Sequence, residues 1–206
     1  ITFSNRGHDT ITKVRRVAKT KKGYISKLAG TAHEVFTDCT DDLQGVINFA
    51  KWRGVKEIYL AGHSTGCQKS VYYAIKKADR AVKGLILLAP ISDYAVERMR
   101  NTKGTLLRAP TVAQKLVKAG KKHDLLTKNV WHGVIDAQRF LSLYTPTSAE
   151  EIFSYAQPRK KPRALKRVQL PMLDLVTVVY LFVQESRSDL REYSECRFQP
   201  LLLIRS

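Results

Sequence analysis

The run Tyr59-Leu60-Ala61-Gly62-His63-Ser64-Thr65-Gly66-Cys67 carries the residues best suited to chemistry. A serine hydroxyl becomes a working nucleophile when a tight turn projects it toward a base and an electrophile. Gly62-x-Ser64-x-Gly66 has the spacing of such a turn, because glycines two residues either side of the serine carry no Cβ to collide across the bend. The backbone N–H of Thr65 then faces the oxygen on which charge develops when a carbonyl is attacked. A helix starting at the same point adds the positive end of its dipole. The chemistry is acyl transfer through Ser64, with the Thr65 N–H as oxyanion donor. The same pattern also occurs in glycine-rich turns that catalyse nothing, so its placement in the chain decides.

Glu57 to Ala61 has the composition of a buried strand, and Cys67-Gln68-Lys69-Ser70-Val71-Tyr72-Tyr73-Ala74-Ile75 has helical character. The glycine-flanked serine therefore falls where strand gives way to helix, which is the context a nucleophile elbow requires. The helix is expected to run to about Ala78. A second buried strand, Val82-Lys83-Gly84-Leu85-Ile86-Leu87-Leu88-Ala89-Pro90, implies a parallel crossover. Ile91-Ser92-Asp93-Tyr94 follows as a carboxyl-end loop on the same side as Ser64. Ahead of the elbow, Thr37 to Arg53 reads as a helix. Thr37 or Asp38 can cap it, Asp41 and Asp42 lie near its positive end, and Gly54 stops it. Cys39, Leu43, Val46, Ile47 and Ala50 give it one apolar stripe to lay against a sheet.

The remaining segments are less regular. Ile1 to Ser4 reads as a short strand leading into the polar turn Asn5-Arg6-Gly7-His8-Asp9, with His8 a loop histidine. The basic stretch from there to Gly30 reads as a surface excursion with little regular structure. From Ala95 to Tyr144 the pattern is helical but cut by Gly104, Pro110 and Gly120. It is expected either to cap the site or to form lengthened crossover helices, with His123 and His132 as surface or core residues. Thr147-Ser148-Ala149-Glu150-Glu151 has the form of a capping box opening another short helix. A Pro- and Lys-rich linker spans Pro158 to Arg163, and Val168 to Phe182 reads as a further buried strand. Residues 184–206 follow neither helical nor strand periodicity.

Composition sets the bounds. The chain has 206 residues, 44% of them hydrophobic, enough for one sizeable core. It opens on Ile1 in a strand-like context, so it reads as starting inside a domain. No apolar run approaches the roughly 20 residues a membrane-spanning helix needs. Three cysteines, Cys39, Cys67 and Cys196, are odd in number and lack metal-ligand spacing, which fits a reducing, cytoplasmic setting. Cys67 reads as a packing residue just inside its helix. The formal net charge is +18, from 36 Lys and Arg against 18 Asp and Glu. The basic residues cluster at Lys13 to Lys27, Arg98 to Lys128 and Arg159 to Arg167 without the interleaved aromatics of single-strand binders. They are read as solvated surface with an attraction for acidic substrates, in preference to a nucleic-acid footprint.

Three quoted segments also carry a resemblance: Phe3-Ser4-Asn5-Arg6-Gly7-His8-Asp9, Gly62-His63-Ser64-Thr65-Gly66-Cys67-Gln68 and Leu87-Leu88-Ala89-Pro90-Ile91-Ser92-Asp93-Tyr94. In this order they resemble the α/β-hydrolase superfamily, and within it a little-studied group of predicted serine hydrolases. The likeness runs from about Thr2 to Leu173. It implies a mostly parallel sheet with helices on both faces, incomplete at both ends in this chain, and a Ser-acid-His triad. It places the acid after a late strand and the histidine near the C-terminus. Asp174 sits inside the expected strand, Glu185 and Asp189 follow it, and Asp93 is the fallback acid. No histidine follows His132. The second oxyanion donor would lie upstream of Ile1. Because the likeness stops near Leu173, the tail is read as a sequence altered by a frameshift or assembly error.

The reading as a whole is a partial α/β-hydrolase domain over residues 1–183, with 95–144 as the candidate helical cap and an atypical tail over 184–206. Its activity is expected to be hydrolysis of small-molecule carboxylic esters by Ser64, with no metal or organic cofactor and no membrane span. A non-catalytic hydrolase-fold binding protein and a basic nucleic-acid-associated domain are the alternatives. The oligomeric state is left open.

Overall fold

A computed structural model describes residues 1–77, 79–100, 104–153, 155 and 164–175. Its centre is a three-stranded parallel sheet of β3 (Ile58–His63), β4 (Val82–Leu88) and β5 (Met172–Leu175), in the order β3-β4-β5. Ahead of it lie a hairpin of β1 (Thr12–Val17) and β2 (Tyr24–Ala29) and the helix α1 (Cys39–Trp52). Helix α2 (Thr65–Lys76) joins β3 to β4. After β4 come α3 (Asp93–Arg100), α4 (Thr105–Lys118) and α5 (Ala137–Tyr144).

The sheet register explains where the core forms. Leu60 pairs with Leu85 and Gly62 with Leu87, so these residues share one face. Helices α1 and α2 cover that face. Cys39, Leu43 and Ile47 of α1 and Cys67, Val71, Tyr73 and Ala74 of α2 pack with Leu60, Val82, Leu85 and Leu87 in one buried cluster. Each large apolar side chain sealed there contributes about 1.5–3 kcal/mol relative to exposure. On the alternate positions Tyr59, Ala61, His63 and Leu173 are exposed among the described residues. Helix α1 ends as its sequence requires, with Gly54 at φ +85, a conformation costly for any residue with a Cβ.

A second apolar cluster lies in the helical segment after β4. Leu106, Ala109 and Ala113 of α4 pack with Leu126, Trp131, Ile135 and with Ala137 and Phe140 of α5. Gly104 and Gly120, both at positive φ, bound α4. Pro110 does not divide it, contrary to the reading from sequence. A proline there removes one backbone donor from a 14-residue helix, and the neighbouring buried positions, Leu106, Ala109 and Ala113, hold the helix together.

Other expectations are also corrected. The basic stretch before Gly30 is not irregular. Thr12 to Val17 pairs antiparallel with Tyr24 to Ala29 over six residue pairs. Interspersed Lys and Arg mask the β-branched Thr12, Val14 and Val17, and Gly23, at φ +70, supplies the turn. Ile1 to Ser4 is not a strand, and both Ile1 and Phe3 are exposed. No strand among the described residues pairs with the free edge of β3 to recruit it. Among the described residues no helix starts at Ser148, although the Glu151 N–H reaches Ser148 Oγ at 3.2 Å. The two glutamates that would have served the helix are engaged elsewhere, Glu150 with Arg139 and Glu151 with Ser92. Glu185, Asp189, Cys196, the linker over 158–163, the end of the expected last strand and the tail over 184–206 lie outside the described residues.

Candidate active site at the turn after β3

Ser64 stands between the last residue of β3 and the first of α2, at φ 53 and ψ −122. A residue with a Cβ adopts this conformation at a cost of order 1–3 kcal/mol, so the surrounding structure must impose it. Two contacts do so. The Ser64 N–H donates to the Leu88 carbonyl at 3.0 Å, extending the β3–β4 pairing into the turn, and the Ser64 carbonyl accepts from the Cys67 N–H at 3.0 Å. The Cys67 thiol is buried and donates to the carbonyls of Gly62, at 3.1 Å, and Leu88, at 3.3 Å, which fixes the underside of the bend.

The two glycines of the motif are not equivalent. A Cβ on Gly62 would lie 2.4 Å from the Gly66 carbonyl oxygen and 2.7 Å from the Cys67 nitrogen, so glycine is obligatory there. A Cβ on Gly66 would meet nothing within 4 Å, so only the first glycine answers to the expected steric reason. Ser64 is half-buried and lies outside the helix. Thr65, as the first residue of α2, offers an N–H that the helix itself leaves without an acceptor.

Beside the turn is a cavity of about 430 Å³ whose lining includes Thr65, Lys69, Asp93, Arg139, Glu34 and His8. The structure thus brings Asp93 and Thr65 to one cavity, as the carboxyl-end placement of both loops implies. Asp93 opens α3, which Ser92 caps by accepting from the Ala95 N–H at 2.9 Å. Burial raises the Asp93 carboxyl above its ordinary range, against the lowering pull of Arg139 and of a hydrogen bond from Gln68. Its Oδ2 is buried without a partner. Among the described residues, Asp93 has no histidine partner, and no hydrogen bond to the Ser64 hydroxyl is formed. His8 faces Asp9 at 2.9 Å.

The floor of the cavity is a set of buried charges that the sequence does not announce. Lys69 Nζ lies 2.6 Å from Glu34 Oε1, Arg139 contacts Glu34 Oε2 at 3.0 Å, and its other amino group meets Glu150 Oε2. Ser142 Oγ also donates to Glu150 Oε2, at 2.8 Å, and Gln138 Nε2 to the Glu34 carbonyl, at 2.9 Å. Burial pushes the Glu150 carboxyl up despite its cation. The one signal available in the sequence is Lys69, a charged residue among the inward positions of α2. Arg6 provides a further anchor. It pairs with Asp38 and Asp42, so both aspartates hold the Arg6-Gly7-His8 loop against α1. Asp38 makes no side-chain cap to the helix.

The model of a family described as "Protein of unknown function (DUF1749)" matches residues 29–175. The chain belongs to this family. The DUF1749 match takes in the turn around Ser64, the cavity residues Lys69, Asp93 and Arg139, and Glu34 and Glu150 beneath them. The Arg6-Gly7-His8 loop lies outside it. No curated protein and no solved structure matches the chain.

Proposed function

We propose that Ser64 is the nucleophile of a serine hydrolase of the α/β-hydrolase type, acting on small carboxylic esters. The observation that carries this reading is the backbone of Ser64, held at φ 53 and ψ −122 between a parallel strand and a helix. Strain of this size at a half-exposed serine is a cost that a plain connecting turn avoids. Ser64 Oγ attacks the ester carbonyl carbon as a general base takes its proton. The Thr65 N–H holds the resulting oxyanion, the alkoxide leaves with that proton, and water hydrolyses the acyl-enzyme. The cavity charges favour an uncharged substrate. Lys69 and Arg139 are matched by Glu34 and Glu150, so these two cations are already paired and offer no free charge to an anionic substrate.

The second reading, a hydrolase-like fold used only for binding, is favoured by the lack of any described histidine or carboxylate on the Ser64 hydroxyl. A fluorophosphonate probe separates the two. The hydrolase reading expects covalent label on the Ser64 peptide of the native chain and none after Ser64→Ala. Unlabelled native protein would leave the binding reading.

A further inference from the structure

Away from Ser64, three side chains from separated segments converge on one point. His33 Nδ1 lies 2.9 Å and His123 Nδ1 2.8 Å from the same oxygen, Oδ2 of Asp136. The ligand atoms of the three residues all lie within 4.8 Å of one another. We propose that His33, His123 and Asp136 form a binding site for a divalent transition-metal ion of the zinc class, independent of the chemistry at Ser64.

The donor set selects the ion. Two imidazoles and one carboxylate suit zinc and its neighbours, whereas calcium and magnesium call for six or more oxygen donors or a shell of retained waters. Three protein ligands leave a fourth position for water. His33 and Asp136 are buried, and the side chain of His123 is 38% exposed, so the open position faces solvent along the His123 side. Tetrahedral bonds of zinc length separate neighbouring ligand atoms by about 3.3 Å. The site therefore has to spread each N–O contact by about half an ångström; rotation of the exposed His123 ring opens one, and the contact between the buried His33 and Asp136 opens only as those two side chains shift apart.

The supporting shell is already in place. Asp136 Oδ1 accepts from the Arg139 N–H at 2.7 Å as the cap of α5, which leaves Oδ2 as a single, oriented donor. The Asp136 N–H donates to the Ala32 carbonyl, next to His33, at 2.9 Å. The Ala137 N–H donates to the Asp124 carbonyl, next to His123, at 3.1 Å. Gln138 Nε2 reaches the His33 carbonyl at 3.5 Å. Backbone hydrogen bonds thus join the three ligand-bearing segments to one another, the preorganisation that metal affinity rewards. An ion here fastens the loop before α5 to the loop before α1.

The test is a titration of the tag-free chain with Zn²⁺ by calorimetry, paired with the visible absorption of the Co²⁺ form. One equivalent is expected to bind, and Co²⁺ should give the bands of a four- or five-coordinate site. His123→Gln, on the exposed side of the site, and Asp136→Asn, which keeps a capping oxygen, should each weaken binding by at least about 10-fold. His132→Gln should leave it unchanged. Circular dichroism in the presence of chelator verifies that each variant is folded. Zn²⁺ binding as tight in folded His123→Gln as in the unaltered chain, or no stoichiometric binding at all, would overturn the proposal.

Discussion

Replacing each glycine of the Gly62-x-Ser64-x-Gly66 turn with alanine separates the geometry of the bend from its sequence pattern. In Gly62→Ala the new methyl carbon would sit 2.4 Å from the Gly66 oxygen, 2.5 Å from its carbonyl carbon and 2.7 Å from the Cys67 nitrogen. All three are backbone atoms, so no rotamer change relieves the overlap, and the first turn of α2 must move away from β3. Overpacking of this kind costs about 1–3 kcal/mol, and the depth of this overlap places it near 3. In Gly66→Ala the methyl meets nothing within 4 Å, and position 66 is the second residue of α2. Alanine is favoured over glycine in a helix by about 0.5–1 kcal/mol, so this variant is expected to gain stability. The two substitutions should differ by about 4 kcal/mol with opposite signs. Urea denaturation followed by circular dichroism measures both, and an unchanged slope confirms that the native and unfolded states remain comparable. Fluorophosphonate labelling supplies a second readout, lost in Gly62→Ala and retained in Gly66→Ala. Equal destabilisation by the two alanines would refute the close packing inferred for the turn.

Further outcomes follow from the same site. At Ser64, glycine should be more stable than alanine by about 1 kcal/mol, reversing the usual order, because only glycine relieves the positive φ. Urea midpoints of Ser64→Gly and Ser64→Ala decide this. Arg139→Met leaves the Glu34 and Glu150 carboxylates buried without their shared cation. It should cost about 3–5 kcal/mol, read from the shift in denaturation midpoint. The third outcome concerns Asp93, whose native pKa is raised by burial, so the folded state keeps the proton over a range where the unfolded chain has released it. Its contribution to stability is complete below the unfolded value, near ~4, and is lost as the pH rises through the native value. Asp93→Asn should therefore match the unaltered chain at low pH and exceed it increasingly toward pH 7. A stability difference independent of pH would contradict that sign.

How much of this was legible in the chain depends on the range of the interactions. The helix over α1 and the strands β3 and β4 could be read directly, since their apolar residues follow the period of the element and Gly54 marks an end. The turn at Ser64 was legible for the same local reason, with Gly62 supplying the spacing. The hairpin β1–β2 was missed because lysines and arginines on both strands hide a period-two pattern, and pairing between residues 12 and 29 is not a local property. Glu150 and Glu151 form a capping-box pattern that tertiary partners override. The buried set Glu34, Lys69, Arg139 and Glu150 joins positions over 100 residues apart, as does the pair His33 and Asp136. Neither has a spacing rule that a linear reading can apply. Asp38 and Asp42 had a sufficient helix-end explanation in the sequence, yet their partner is Arg6, more than thirty residues away.

The grip of Arg139 on two carboxylates has a consequence for traffic. Helix α5 forms one wall of the cavity through Arg139 and Leu143. Swinging that wall outward would strand a guanidinium and two anions in a dry interior at once. On the proposed reading, a substrate therefore has to reach the cavity without help from α5, past the Phe3-Ser4-Asn5 side of the lining.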